Sequence, residues 1–109
     1  MNIKDITSRA AEAEQLLKAL ANRNRLIILC ELHEGERAVT KLAGTVGLSQ
    51  SALSQHLARL REDGLVATRR EGTSIFYDLA DERVSSVISL LHQLYCNADS
   101  DQKQKEILK

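Results

Sequence analysis

Residues 39–66 read VTKLAGTVGLSQSALSQHLARLREDGLV, and this stretch decides the fold. Apolar residues recur at helical spacing on both sides of Gly47, which predicts two short helices joined by a tight turn. Ser49 is a good N-cap for the second helix, which is predicted to run from Gln50 to Asp63 and to stop at Gly64. Two helices joined in this way are typical of a helix-turn-helix unit.

The second helix of this unit has one apolar and one polar face. Leu53, Leu57 and Leu60 fall together on the predicted buried side. The opposite side carries short donor and acceptor side chains, which suit base edges in a DNA major groove, and arginines, which suit phosphates. The predicted DNA-contacting residues of this helix are Gln50, Ser51, Ser54, Gln55, His56 and Arg59. The alternative is an ordinary solvated helix face.

A β-hairpin is predicted after this helix. Two strands, residues 65–68 and 75–79, flank a connection that contains Gly72. Polar side chains at the hairpin tip suit a neighbouring phosphate backbone or a minor groove. The predicted DNA-contacting residues at the tip are Arg69, Arg70 and Thr73. A helix-turn-helix followed by such a hairpin favours DNA binding over the alternative.

Three further helices complete the pattern. One covers residues 6–20, a second begins after Asn22, and the last covers residues 81–95. The predicted fold is therefore mainly α with a small β-hairpin, in the order ααααββα. We expect one domain over residues 1–96, followed by a polar tail over residues 97–109.

The charge of the chain is unevenly distributed. Overall, 15 basic and 15 acidic side chains give a formal net charge of zero, which by itself does not favour nucleic-acid binding. Residues 37–79, however, carry six basic and four acidic side chains, whereas residues 1–36 carry five basic and six acidic ones. The predicted DNA-reading segment is thus the positive part of the chain, and a dimer would double its charge.

Several function classes are disfavoured. No apolar run approaches the ~18–20 residues that span a bilayer, and the polar N-terminus is unlike a signal peptide, so we expect a cytoplasmic protein without a membrane partner. The chain lacks a Gly-rich phosphate loop and a nucleophile elbow. We therefore expect no enzymatic activity and no cofactor.

Two segments resemble the ArsR-type winged-helix repressors: LLKALANRNRLIILCEL at residues 16–32 and LSQSALSQHLARLREDGLVATRREGTSIFYDL at residues 48–79. The resemblance extends over about residues 12–96. It implies a winged helix-turn-helix homodimer, paired through its first and last helices on a two-fold symmetric operator. It also implies that residues 50–63 form the recognition helix, that residues 69–74 form the wing tip, and that a ligand or redox event lowers operator affinity.

Metal sensing is one alternative within that family. Residues 36–41, where relatives often place a Cys-x-Cys pair, contain no cysteine, and the last helix offers His92 as its one histidine. A transition-metal site needs three or four well-placed ligands, so no metal site is predicted. A mixed site of Cys30, Cys96 and a histidine stays open.

Cys30 and Cys96, the two cysteines, lie 66 residues apart. Their placement resembles the thiol-based branch of the family. That resemblance implies that reactive sulfur species or oxidants join the pair by a disulfide or polysulfide bridge and thereby release the operator. The residues alone leave open that both are inert core thiols. A regulator that acts by displacing another DNA-bound protein is also open.

Overall fold

The computed structural model describes residues 2–96. The predicted tail, residues 97–109, lies outside this range. The elements, in chain order, are α1 (Ile3–Thr7), α2 (Ala10–Leu20), α3 (Arg23–His33), β1 (Arg37–Ala38), α4 (Val39–Val46), α5 (Gln50–Glu62), β2 (Val66–Glu71), β3 (Ser74–Leu79), α6 (Glu82–Leu91) and a π-helical turn (His92–Cys96).

The predicted winged helix-turn-helix architecture is confirmed, and so is the predicted N-cap Ser49. The Asn22 side chain accepts hydrogen bonds from the backbone N–H groups of the first turn of α3, at 3.0 and 3.1 Å. Ser49 does the same for α5 and Asp81 for α6. Each cap satisfies backbone donors that a helix N-terminus leaves free, which explains why these helices begin where they do.

The first helix differs from the prediction. A single helix was expected over residues 6–20, but the chain forms α1 and α2 with a break at Ser8 and Arg9. The side chains of Thr7 and Ser8 bond back to the carbonyls of Ile3 and Asp5, at 2.7 and 3.2 Å. Such side-chain bonds compete with continued helix, and the apolar periodicity does not reveal them.

The sheet has three strands rather than the two that were predicted. Its order is β1-β3-β2, and both pairs are antiparallel. In β1, Arg37 lies opposite Tyr77 and Ala38 lies opposite Phe76. Two residues are too few to show a strand period, so β1 is recognised only through its pairing with β3.

The hydrophobic core lies between the helices and one face of the sheet. It is built from completely or almost completely buried aliphatic side chains, contributed by every element from α2 to α6 except β1 and β3: Ala19, Leu20, Ile28, Leu29, Leu32, Leu42, Leu53, Leu57, Leu60, Leu65, Val66, Val84 and Ile88. The predicted buried face of α5 is confirmed in full. Within residues 2–96, no polar or charged side chain is buried. None of the helices described is long and apolar enough to cross a membrane.

Candidate DNA interface and cysteine pair

The turn between α4 and α5 is closed by a left-handed glycine. Gly47 has φ 72° and ψ 32°, a conformation that glycine adopts without a steric penalty. The N–H groups of Gly47 and Leu48 both donate to the carbonyl of Ala43, at 3.1 and 3.3 Å. This Schellman-type ending stops α4 sharply, so that α5 starts only three residues later.

The polar face of α5 is available to a partner. Its predicted DNA-contacting residues are exposed, apart from His56, which is half-buried: Gln50, Ser51, Ser54, Gln55 and Arg59. Arg59 also forms an ion pair with Asp63 at 3.4 Å, one turn further on. Because Leu53, Leu57 and Leu60 anchor the other face, α5 presents its polar side chains as a rigid set.

The wing, which is the β2–β3 hairpin, has a shorter tip loop than predicted. β2 and β3 are joined by Gly72 and Thr73 alone, so Arg69 and Arg70 lie inside β2 rather than in the tip loop. The three residues are nevertheless exposed: Arg69, Arg70 and Thr73. Arg69 lies opposite Phe76 and Arg70 opposite Ile75 of β3, and their side chains point to opposite faces of the sheet.

Arg69 is engaged within the chain. Its Nε and Nη2 donate to the two carboxylate oxygens of Glu36, at 3.0 and 2.7 Å, and its Nη1 donates to Glu71 at 2.7 Å. Its Cζ lies 4.6 Å from the centroid of the Phe76 ring. The hydrogen bonds from Arg69 lower the pKa of the Glu36 carboxyl, and the same bonds raise the pKa of Arg69. This arrangement combines a bidentate pair with a cation–π contact.

The two cysteines lie on segments of the packed α3–α6 helix pair. Cys30 lies in α3, Cys96 ends the π-helical turn after α6, and both side chains are exposed. Partial burial raises the pKa of the Cys30 thiol, and the nearby Cys96 and Glu34 raise it further. Close by, the Ser89 hydroxyl and His33 Nε2 lie 3.2 Å apart and connect α6 to α3. The fold thus places two thiols that are distant in sequence within electrostatic range.

Comparison with known proteins decides the family. Residues 22–68 match the model of the "Bacterial regulatory protein, arsR family". The transcriptional activator HlyU of Vibrio cholerae is 52% identical over 99 residues, which cover 91% of this chain and 92% of HlyU. The chain belongs to the ArsR family. It is accordingly a DNA-binding transcriptional regulator, and its relatives described as transcriptional regulators agree with the prediction that it is not an enzyme.

Solved structures of ArsR-family proteins share the fold. The transcriptional repressor BigR from Xylella fastidiosa superposes with a TM-score of 0.84 at 40% identity, over 88% of this chain and 98% of BigR. A homodimeric winged helix-turn-helix DNA-binding domain from Mycobacterium bovis gives 0.69 at 38% identity, over 86% and 89% of the two chains. The whole domain, and not only the helix-turn-helix unit, is therefore of ArsR type.

Side chains of the types that bind metal ions lie apart from one another in the part of the chain that the structure describes. Across residues 2–96, no three His, Cys, Asp or Glu side chains are grouped so as to hold a metal ion. His92 is exposed at the start of the π-helical turn. The roles assigned to individual residues, both in DNA contact and in thiol sensing, stay predictions.

Sequence reasoning missed three residues of the candidate interface. Glu36 and Phe76 hold Arg69, and Tyr77 lines a groove together with Ser54 and other residues of α5. Glu36 precedes a strand that was not predicted, so nothing in the sequence pointed to it. Phe76 and Tyr77 were assigned to a strand, but the face of the sheet on which each side chain lies, and what it packs against, follows only from the strand register.

Proposed function

We propose that this chain is a homodimeric repressor whose operator binding is relieved when Cys30 and Cys96 become bridged. The observation that supports the proposal is that Cys96 raises the pKa of the Cys30 thiol through its charge, so that two exposed thiols from different helices influence each other electrostatically. Inert core cysteines would be buried and separate. A solved structure of reduced HlyU from Vibrio cholerae superposes on this chain with a TM-score of 0.81.

DNA recognition is assigned to α5 and the wing. In this proposal, α5 enters the major groove and the exposed polar side chains of its first turns contact base edges. The wing contacts the phosphate backbone beside it. The proposed base-reading residues are Gln50, Ser51, Ser54, Gln55 and His56, and the proposed phosphate contacts include Arg59 and Thr73.

Dimerisation is assigned to the apolar side chains that the single chain leaves exposed on its terminal helices. The last helix is partly used internally, since Val84 and Ile88 are buried. Other apolar side chains near the two ends of the described chain are exposed by half or more: Ile3, Ile6, Leu17, Leu90, Leu94 and Tyr95. Apolar surface of this extent is typical of an interface. A Leu94→Glu variant should run as a monomer in light scattering, and a dimer of unchanged stability would contradict this assignment.

The order of the thiol reactions follows from the Cys30 environment. Burial and the nearby Cys96 and Glu34 raise the pKa of the Cys30 thiol and so disfavour its thiolate, and we therefore assign the first attack to Cys96. With an organic trisulfide, RS–S–SR, the Cys96 thiolate attacks the central sulfur and expels RS⁻. Cys30 then attacks the same sulfur and expels the second RS⁻. Two protein thiols and one trisulfide thereby give a Cys–S–S–S–Cys bridge and two RSH, which take up the two thiol protons.

The bridge would act on DNA binding through α3. This helix carries Cys30 and packs against α4, α5 and α6. Glu31, the next residue, forms an ion pair with Arg37 of β1 at 3.0 Å, so α3 is also tied to the sheet. Joining Cys30 to Cys96 constrains the α3–α6 packing, and a small tilt of the recognition helices is costly because half-site spacing is strict.

The test combines intact-protein mass spectrometry with fluorescence anisotropy on a DNA duplex that the reduced protein selects from a random library. The trisulfide-treated wild type should gain one sulfur atom, lose two hydrogens and bind at least about tenfold more weakly, a fraction of the specific-to-non-specific range. Cys30→Ser and Cys96→Ser should keep their affinity after treatment, and the double variant controls for effects of the reagent elsewhere. The proposal is wrong if bridged and reduced wild type bind equally well.

A second mode of action is favoured by one observation, the description of HlyU as an activator. A regulator of the same fold can raise transcription by displacing another DNA-bound protein. In vitro transcription from the regulated promoter, with purified polymerase alone, separates the modes. A repressor lowers transcript yield there, whereas a displacing regulator has no effect until the competing protein is added.

A further inference from the structure

We infer that the adjacent arginines of β2 have different tasks, Arg70 being the phosphate-contacting cation of the wing and Arg69 a positioning residue that holds the wing through Glu36. This inference rests on the proposed DNA-binding function. It concerns the division of labour within the wing, which the sequence pattern does not assign.

The sheet register places the two arginines on different faces. Thr68 lies opposite Tyr77, and Tyr77 lines a groove with Ser54 and Arg61 of the recognition helix. Side chains two residues apart on a strand share a face, so Arg70 lies on the same side of the sheet as α5. The face of the sheet that carries Arg70 is therefore the one nearer to DNA bound by α5.

Arg69 belongs to the other face. It lies opposite Phe76, which accounts for the cation–π contact, and Glu71, two residues on, shares its side. Three of its nitrogens already donate hydrogen bonds to carboxylates. Binding a phosphate with Arg69 would break the bidentate pair and leave Glu36 and Glu71 beside the DNA, where their negative charges oppose binding.

Glu36 is anchored on the body of the domain. Its carbonyl accepts a hydrogen bond from Arg37 Nη1 at 3.1 Å, and Arg37 is held by Glu31 of α3. The Glu36–Arg69 pair therefore connects the segment after α3 to the outer strand of the wing, across 33 residues of sequence. A fork-shaped guanidinium suits this task, because it fixes direction as well as distance.

Arg70 has the opposite environment. Its side chain is exposed, and among residues 2–96 it forms no ion pair. A lysine in its place would keep the charge that a phosphate attracts. A lysine in place of Arg69, in contrast, would lose the bidentate geometry that positions the wing.

The experiment measures the affinity for a labelled random-sequence DNA duplex over a range of KCl concentrations, with the full-length reduced protein. Each lost phosphate contact makes the negative slope of log K against log [KCl] shallower by about 0.9, so that affinity falls about 3.5-fold less between 50 and 200 mM KCl. We expect this change for each bound wing in Arg70→Gln, and restoration by Arg70→Lys. Arg69→Gln and Arg69→Lys should instead behave alike, with no rescue by lysine.

Glu36→Gln decides between the two tasks of Arg69. If Arg69 positions the wing, Glu36→Gln weakens binding to the same extent as Arg69→Gln, and the double variant is no weaker than either single variant. If Arg69 binds a phosphate, Glu36→Gln frees it and removes a negative charge, so binding becomes tighter. Tighter binding, unchanged binding, or rescue of Arg69 by lysine each overturns the inference. Should Arg69→Gln not fold, the sign of the Glu36→Gln effect still decides. If the wild-type protein showed no salt-dependent DNA binding, that result would instead refute the proposed function.

Discussion

Two glycines three residues apart in the helix-turn-helix unit are expected to respond to alanine with opposite signs. Gly47 has a left-handed backbone, and a Cβ added there meets no heavy atom within 4 Å, so the cost of Gly47→Ala is conformational alone. For an L-residue that cost is roughly 1–2 kcal/mol. Gly44 lies within α4, also with open space around an added Cβ. Because glycine is a poor helix former, Gly44→Ala should stabilise by roughly 0.5–1 kcal/mol. The two variants should therefore differ by about 2 kcal/mol.

The assay is urea unfolding of the reduced protein, followed by far-ultraviolet circular dichroism. Protomer concentration must be held constant, because the stability of a dimer depends on it. In thermal unfolding, 1 kcal/mol corresponds to roughly 4–8 °C for a domain of this size, so the two alanine variants should fall clearly on either side of wild type. Gly47→Asn is the matched control, because asparagine tolerates the left-handed region and should lose less than alanine. If Gly47→Ala were as stable as wild type, or if both alanine variants shifted in the same direction, the left-handed backbone would not explain why glycine occupies position 47.

Three further predictions concern single side chains. Arg25 donates to two carbonyls at the end of α2, at 2.8 and 3.1 Å, so Arg25→Met should lower the free energy of unfolding by about 2 kcal/mol in urea titrations; no loss would contradict its capping role. Burial and Glu34 raise the pKa of Cys30, so its alkylation, followed by peptide mass spectrometry, should need a higher pH than a free thiol, and Glu34→Gln should move that midpoint down; an upward shift would contradict the assignment. Arg83 lowers the pKa of Asp81, so the carboxylate stabilises the fold above its unfolded-state pKa and loses that effect as the pH falls. Asp81→Asn should thus have a lower Tm than wild type at neutral pH, and the gap should narrow as the pH falls through the depressed pKa of Asp81; a gap that stays constant in acid would argue against the charge.

Much of the fold was predictable because its signals are local. Ser49 and Asn22 cap the helices that follow them, Gly47 ends the one before it, and the leucines of α5 repeat at helical spacing; each of these signals acts within a few residues. The winged helix-turn-helix order follows from them. The break between α1 and α2 escaped the same reasoning, because the hydroxyls of Thr7 and Ser8 compete with the helix without disturbing its apolar pattern.

The candidate site likewise has one part that the sequence predicts and another that it does not. The polar face of α5 was predictable because a helix of known register fixes which side chains share a side. The different environments of Arg69 and Arg70 were not, because both look alike in the sequence and only the pairing of β2 with β3 assigns their faces. Glu36 reaches Arg69 through the unpredicted strand β1, a contact that no local pattern encodes.

The sequence by itself thus determined the kind of protein: a helix-turn-helix with a wing, carried by short-range periodicity, caps and glycine turns. Only the tertiary structure decided what its individual side chains face. It brought Cys30 and Cys96 within electrostatic range, buried Val84 and Ile88 while leaving Leu94 exposed, and paired Arg69 with Glu36. The physical reason is that these are long-range contacts, set by helix packing and strand register, and side-chain identity alone does not choose among the partners that the chain offers.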